Sequence, residues 1–254
     1  MSDRIDDAIA RMEPISLGQL DASAALRRRV DTKYVVSRDA LVDLIDHAAD
    51  GYEVLEIDGH RVFGYESVYF DTPDLTSFRQ HVDGVRPRFK SRSRLYRETG
   101  ACFFEVKVKD SSEATSKRQC DYDPADHGRL TEAARSFLDE ALRELADKRA
   151  PDDLAPSLAT RYRRVTLAAH EGGERATIDL EVAMESMDDR DVGLRDDLAL
   201  VETKTEGGGG AIDEHLQRIG CEPTSISKYR LGVGLLVADD PEAAHLERLR
   251  TCFI

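Results

Sequence analysis

Arg86-Pro-Arg88-Phe-Lys90-Ser-Arg92-Ser-Arg94-Leu-Tyr96 is the stretch on which the fold turns. Its cations, Arg86, Arg88, Lys90, Arg92 and Arg94, fall on every second position, and no acid interrupts them. Successive side chains of a β-strand project to opposite faces. These cations would therefore leave one side of a strand, and Pro87, Phe89, Ser91, Ser93 and Leu95 the other. The chain carries a formal net charge of -14, so the row is not a by-product of basic composition. Like charges in a row repel unless something negative lies among them. A polyanion, most simply a chain of phosphates, is one occupant. A solvated edge strand guarded by charge is the other reading, and this strand alone does not choose between them.

The same period recurs along the chain. Glu105, Lys107 and Lys109 share one face of a strand, and Cys102, Phe104, Val106 and Val108 share its reverse. Arg161 with Arg163, Asp179 with Glu181, and Glu202 with Lys204 repeat the pattern. Strands that are apolar behind and charged in front fit a barrel with a polar lumen and helices over its outside. They fit equally an open antiparallel sheet with one wet face. Strands are expected at about 29–36, 52–57, 61–70, 85–97, 101–109, 158–169, 174–184, 198–205 and 228–237. A helical lead runs over about 3–28 and ends in Arg27-Arg28-Arg29. Ser37 caps a helix through Ala49 that has Leu41, Leu44 and Ile45 on one face. Helical spacing is clearest over about 130–148, from Leu130 to Leu145, with Pro151 and Pro156 ending it. Shorter helices are expected near 211–219 and from about 241 onward, with loops at Gly207–Gly210 and Asp188–Asp197.

Composition narrows the function. A chain of 254 residues holds one large domain or two small ones. Its acidity outside the basic clusters argues against coating nucleic acid. No apolar run approaches a membrane span, and MSDRIDDAIA lacks the apolar centre of a signal peptide, so a cytoplasmic location is expected. Cys102, Cys120, Cys221 and Cys252 form no CxxC pair and read as reduced thiols. No P-loop, dinucleotide or GxSxG fingerprint occurs, and the histidines lack metal-ligand spacing. Asp71-Thr72-Pro73 reads as a turn after a strand, and Tyr34, Tyr96 and Tyr229 read as packing.

Glu105 and Glu202 each stand two residues before a lysine. Carboxylates among phosphate-binding cations are what a hard divalent ion requires; a cross-strand ion pair is the plainer alternative for each. Phosphoryl transfer asks mainly for positioning and charge neutralisation, which Arg, Lys and a metal provide.

An ordered set of short elements resembles the VTC catalytic domain, the polyphosphate-polymerase branch of the triphosphate tunnel metalloenzymes. The elements are Arg29-Val-Asp-Thr-Lys33-Tyr34, Ser67-Val-Tyr-Phe-Asp71-Thr72, Arg88-Phe-Lys90-Ser-Arg92-Ser-Arg94-Leu-Tyr96 and Phe104-Glu105-Val-Lys107. Lys117-Arg118, Arg161-Tyr162-Arg163-Arg164, Arg175-Ala-Thr-Ile-Asp179, Glu202-Thr-Lys204 and Ser227-Lys228-Tyr229 complete it. The resemblance implies an α+β fold, an antiparallel eight-stranded β-tunnel closed around a polar lumen, with flanking helices. It implies a domain over 29–238, after a lead at 1–28 and before a C-terminal helix at 239–254. The implied activity is metal-dependent transfer of a nucleotide γ-phosphate to phosphate or polyphosphate. A triphosphatase or polyphosphatase, or a non-catalytic polyphosphate-binding module, is the alternative. By the same resemblance Lys33, Arg92, Arg94, Lys107 and Arg175 would be catalytic. Arg29, Arg88, Lys90, Lys117, Lys204 and Lys228 would bind phosphate, and Glu202 and Glu105 would hold Mn2+ or Mg2+. Implied partners are a nucleoside triphosphate and polyphosphate or phosphate. Arg29 replaces the first acid of the ExExK motif of the wider superfamily, and Asp31 stands where bacterial relatives usually have Glu, which argues against the adenylyl-cyclase and thiamine-triphosphatase branch.

Overall fold

Alternation along the strands sorts side chains into core and polar faces, and the computed structural model describes residues 3–23, 30–112, 115–238 and 247–254. The first elements are α1 (Asp3–Arg11), β1 (Glu13–Ile15), α2 (Leu17–Ser23), β2 (Val30–Ser37), α3 (Arg38–Ala48) and β3 (Tyr52–Leu55). Then come β4 (Phe63–Asp71), α4 (Thr76–Val82), β5 (Arg88–Tyr96), β6 (Cys102–Lys109), β7 (Thr115–Asp121) and α5 (Glu132–Ala146). The rest are β8 (Ala155–Ala169), β9 (Arg175–Ser186), β10 (Asp191–Gly193), β11 (Leu198–Thr205), α6 (Ala211–Arg218), α7 (Lys228–Leu236) and α8 (Glu247–Arg250). No helix among the described residues is long and apolar enough to cross a membrane.

The chain forms two compact units. One comprises Met1–Phe63, Tyr162–Val182 and Leu194–Ile226; the other comprises Gly64–Arg161, Ala183–Gly193 and Ser227–Ile254. In the first, β11 lies between β2 and β9 in antiparallel ladders, with Glu202 opposite both Lys33 and Thr177. The reverse faces carry Tyr34, Val36, Ala176, Ile178, Ala199 and Val201, which pack on Ile5 and Ile9 of α1, Leu41, Leu44 and Ile45 of α3, and Ile212 and Leu216 of α6. The Ser37 hydroxyl accepts from Ala40 N–H, so the residue that ends β2 also caps α3. Glu174 holds the start of α6 by accepting from the N–H groups of Ala211 and Ile212 and from the Tyr52 hydroxyl.

In the second unit, β4, β5, β6 and β7 form an antiparallel meander. Phe70, Phe89, Phe104, Val106 and Val108 face Ala134, Leu138, Ala141 and Leu142 of α5. Thr131 caps α5 by accepting from Ala134 N–H. Burying one leucine or phenylalanine side chain in such a layer contributes roughly 1.5–3 kcal/mol, which is why the apolar faces choose the register.

The architecture is α+β with a largely antiparallel sheet, and it departs from the expected closed eight-stranded barrel. Eleven strands take part, in the order β2-β11-β9-β8-β4-β5-β6-β7 with β1, β3 and β10 attached. No ladder joins β7 to β2 among the described residues, so hydrogen bonds do not close the sheet. The helical lead is two helices split by β1, which pairs in parallel with β3. Arg27, Arg28 and Arg29 lie outside the described residues, as do 239–246 of the expected C-terminal helix. The strand expected at 228–237 is instead α7, capped by Ser227 through Arg230 N–H. That helix is buried nearly all round, so its apolar residues show no helical stripe.

Candidate functional site

In the second unit, cross-strand register collects charge on one face. Lys90 stands directly opposite Lys107, and Lys107 opposite Lys117. Arg92 stands opposite both Tyr69 and Glu105, Arg94 opposite Ser67, and Arg88 opposite Lys109. Glu105, almost wholly buried, is the hub. Its Oε2 lies 2.5 Å from Arg92 Nη2 and 3.9 Å from Arg94 Nη1, and its Oε1 lies 2.5 Å from Lys117 Nζ. Burial pushes the Glu105 carboxyl up, but Arg92, Arg94 and Lys117 push it down by more and leave it well below the usual carboxylate range. Burial lowers the Lys117 ammonium against the pull of Glu105. Arg92 Nη1 donates to the Tyr69 hydroxyl at 2.9 Å, and Arg94 Nε donates to Ser67 Oγ at 3.1 Å. Burial raises the Tyr69 phenol, yet Arg92, Arg94 and Lys228, the residue that opens α7, bring it below its ordinary value.

The other wall of this face is fixed by Asp71. Its carboxylate accepts from the N–H groups of Ser77 and Phe78 at the start of α4, and from the Tyr229 hydroxyl of α7. The turn reading of Asp71 therefore holds, and the residue is structural. Lys90 Nζ donates to Ser227 Oγ at 3.0 Å and stands 3.4 Å from Nε2 of His81 on α4.

The first unit also carries a polar face. Lys204 stands opposite Asp31 and Arg175, in the row beside Glu202, Lys33 and Thr177. Glu202 and Lys204 form an ion pair. Burial raises the Glu202 carboxyl, but Lys204, Lys33 and Arg164 outweigh it and hold it at about 2. Arg164 clamps Asp179 with two parallel bonds, Nε to Oδ1 at 2.6 Å and Nη2 to Oδ2 at 2.8 Å. Arg175 donates to the Leu20 carbonyl and stands 4.0 Å from Asp21.

Within one unit the structure thus brings together Arg88, Lys90, Arg92, Arg94, Glu105, Lys107, Lys117 and Lys228. Within the other it brings together Lys33, Arg175, Glu202 and Lys204. Arg161 and Arg163 do not join them: they pair with Glu185 and Glu181. Glu181 sits at φ 52° and is exposed, so the alternation expected from Asp179 breaks there. Tyr69, His81 and Arg164 are absent from the sequence-predicted site. Tyr69 sits at period two from Ser67, whereas Arg164 falls on the reverse of the Arg161–Arg163 alternation beside buried Tyr162, so that pattern hid it; His81 is brought in by a helix the sequence did not reveal.

Among the described residues no group of three or more His, Cys, Asp or Glu side chains is arranged to hold a metal ion. Glu202 nonetheless fits one that takes most of its oxygens from phosphate and water, as Mg2+ does with one or two carboxylates. Glu105 does not fit, because cations engage both of its oxygens.

Charged sheet faces backed by apolar cores define a basic-faced α+β sheet protein. The chain belongs to the VTC domain family, which matches residues 28–237. Among solved structures it is similar to a candidate adenylyl cyclase from Hippeastrum with a dominant triphosphatase activity, at 15% identity over 83% of this chain and 97% of that one, TM-score 0.49. It is also similar to a candidate adenylate cyclase from Bacillus halodurans, at 15% identity over 83% and 97%, TM-score 0.48. A protein from Pyrococcus horikoshii shows 16% identity over 80% and 97%, TM-score 0.44. No curated protein matches the chain.

Proposed function

We propose that this protein is a metal-assisted phosphotransferase that moves the terminal phosphate of a nucleoside triphosphate onto phosphate or a growing polyphosphate. One observation carries the reading: Lys90, Lys107 and Lys117 stand directly opposite one another across three adjacent strands. Like charges directly opposite one another are destabilising; Glu105 offsets part of this at Lys117, and an anionic ligand along the row would offset more. Family membership over most of the chain points the same way.

In this scheme Arg92, Arg94 and Lys107 neutralise charge on a phosphoryl group at their face, along which Arg88, Lys90, Lys117 and Lys228 bind the phosphate chain. Lys33 and Arg175, as charge-neutralising residues, and Lys204 and Arg29, as phosphate binders, are added by resemblance alone. Arginines give bidentate contacts to phosphate oxygens, whereas lysines act as point charges. Glu202 would hold the divalent ion, which would supply positive charge to offset that of the phosphates. Glu105 is assigned instead to positioning, as the counterion that keeps Arg92, Arg94 and Lys117 in place. A phosphate acceptor is already anionic at neutral pH, so transfer needs no general base. Hydrolysis needs a carboxylate to orient water, and Glu105 and Asp179 are both held by cations.

The test is the product formed from ATP with Mn2+ or Mg2+, read by phosphorus NMR and by gel. Polymer that lengthens with time supports the proposal. Orthophosphate alone, at every acceptor concentration, assigns a triphosphatase; no turnover with either ion, alongside tripolyphosphate binding, assigns a binding module.

A further inference from the structure

His81 lies half-buried on α4. Cations approach it from the elements around it: Arg88 and Lys90 on β5, Lys107 on β6 and Arg230 on α7. Arg79 lies on its own helix. The Lys90 ammonium, 3.4 Å from Nε2, has donors only, so this ring nitrogen accepts and the ring proton sits on Nδ1. Ser227 Oγ accepts a second bond from the same ammonium at 3.0 Å. Burial, and after it the charges of Lys90, Arg88, Arg230 and Lys107, holds His81 down at about 3, so the ring is neutral across the physiological range. An anion among these cations cancels their share of the depression and gives a buried imidazolium a counterion.

We propose that polyphosphate binding to this face is coupled to protonation of His81. The proton comes from solvent to Nε2. A protonated Nε2 can no longer accept, so Lys90 leaves it and both side chains donate to phosphate oxygens. His81 thereby becomes a cation only when the ligand is present, and the empty face is spared one more like charge. The inference rests on reading this face as a polyanion site.

The experiment is calorimetric titration of metal-free protein with inorganic tripolyphosphate, in buffers of differing ionisation enthalpy, for wild type and His81→Gln. Glutamine still accepts from Lys90 but cannot titrate, and the ligand's own protonation cancels in the comparison. Wild type should take up more protons per ligand at pH 6. Its affinity should gain roughly tenfold over the variant between pH 7 and pH 5 if the anion restores His81 nearly to the range of an ordinary imidazole. Equal proton uptake by the two proteins overturns the coupling and leaves the polyanion site standing. Absence of binding to wild type overturns both. Ring-nitrogen NMR of wild type at pH 6 needs no variant: one imidazole should pass from neutral to charged on adding tripolyphosphate, and an unchanged spectrum sinks the coupling.

Discussion

Glu105 and Glu202 hold the same place in the sequence pattern, two residues before a lysine, and end in different surroundings. Glu105 is sealed by Arg92, Arg94 and Lys117, while Glu202 faces Lys33 and Lys204 on a partly open face. The pattern shows both carboxylates but not the packing that separates their roles, because burial depends on strands far apart in sequence. Glu202→Gln keeps size and removes one negative charge. Metal-dependent turnover should collapse while metal-free tripolyphosphate binding persists or tightens. Retained turnover in the folded fraction would sink the metal assignment. Arg94→Ala should weaken tripolyphosphate with or without metal by about 1.5–3 kcal/mol, the worth of a charge-assisted contact; calorimetry measures it, and an unchanged affinity removes Arg94 from the track. Glu202 also fixes a pH dependence. Its folded value of about 2 lies below the ordinary 4.5. Its stabilisation is therefore complete above the unfolded value and is lost as pH falls toward the folded one. Urea midpoints of wild type should fall more steeply than those of Glu202→Gln from about pH 5 to pH 2, and parallel curves would contradict the ion-pair cause.

Among the elements, those with a strong period were legible: β5, β6, β11, α3 and α5 lie where alternation or helical spacing puts them. Others hid for identifiable reasons. Strand β7, Thr115–Asp121, has no buried residue and alternates between exposed and half-buried, so it carries no core signal. Helix α4 starts at Leu75, at φ 59° and without a side-chain cap of its own; the capping carboxylate is Asp71, outside any local capping pattern. Helix α7 contains Gly232 and Gly234, poor helix formers, and at Gly232 closeness to neighbours requires the glycine. A Cβ at position 232 would lie 2.5 Å from Leu158 Cδ2 and 2.9 Å from Met184 Sδ. Gly232→Ala should therefore cost about 1–3 kcal/mol through overpacking, although alanine is the better helix former. The check is a urea midpoint that falls with an unchanged slope; a stabilised variant would mean that Leu158 and Met184 move aside freely.

For the molecule as a whole, a net charge of -14 surrounds two local basic faces. Such a field discourages indiscriminate polyanion binding and leaves phosphate chains to places where cations are fixed close together. Tripolyphosphate at about 100 times its dissociation constant should stabilise the fold by about 3 kcal/mol. The measure is a melting-temperature rise beyond that given by sulfate at equal ionic strength, and equal rises would point to screening alone. The pairing of β2 with β11 has a different kind of consequence, one of timing. As the chain leaves the ribosome, β5, β6 and β7 meet their partners from immediate neighbours. Strand β2 emerges before them, yet its ladder to β11 must wait until β11 has itself been made. Lys33 thus meets Glu202 long after it has emerged, and contacts between such distant segments form slowly. A nascent chain stopped before residue 198 holds the whole β5–β7 lysine row without the Glu202 face, a basic surface in a crowded, nucleotide-rich surrounding for as long as translation lasts.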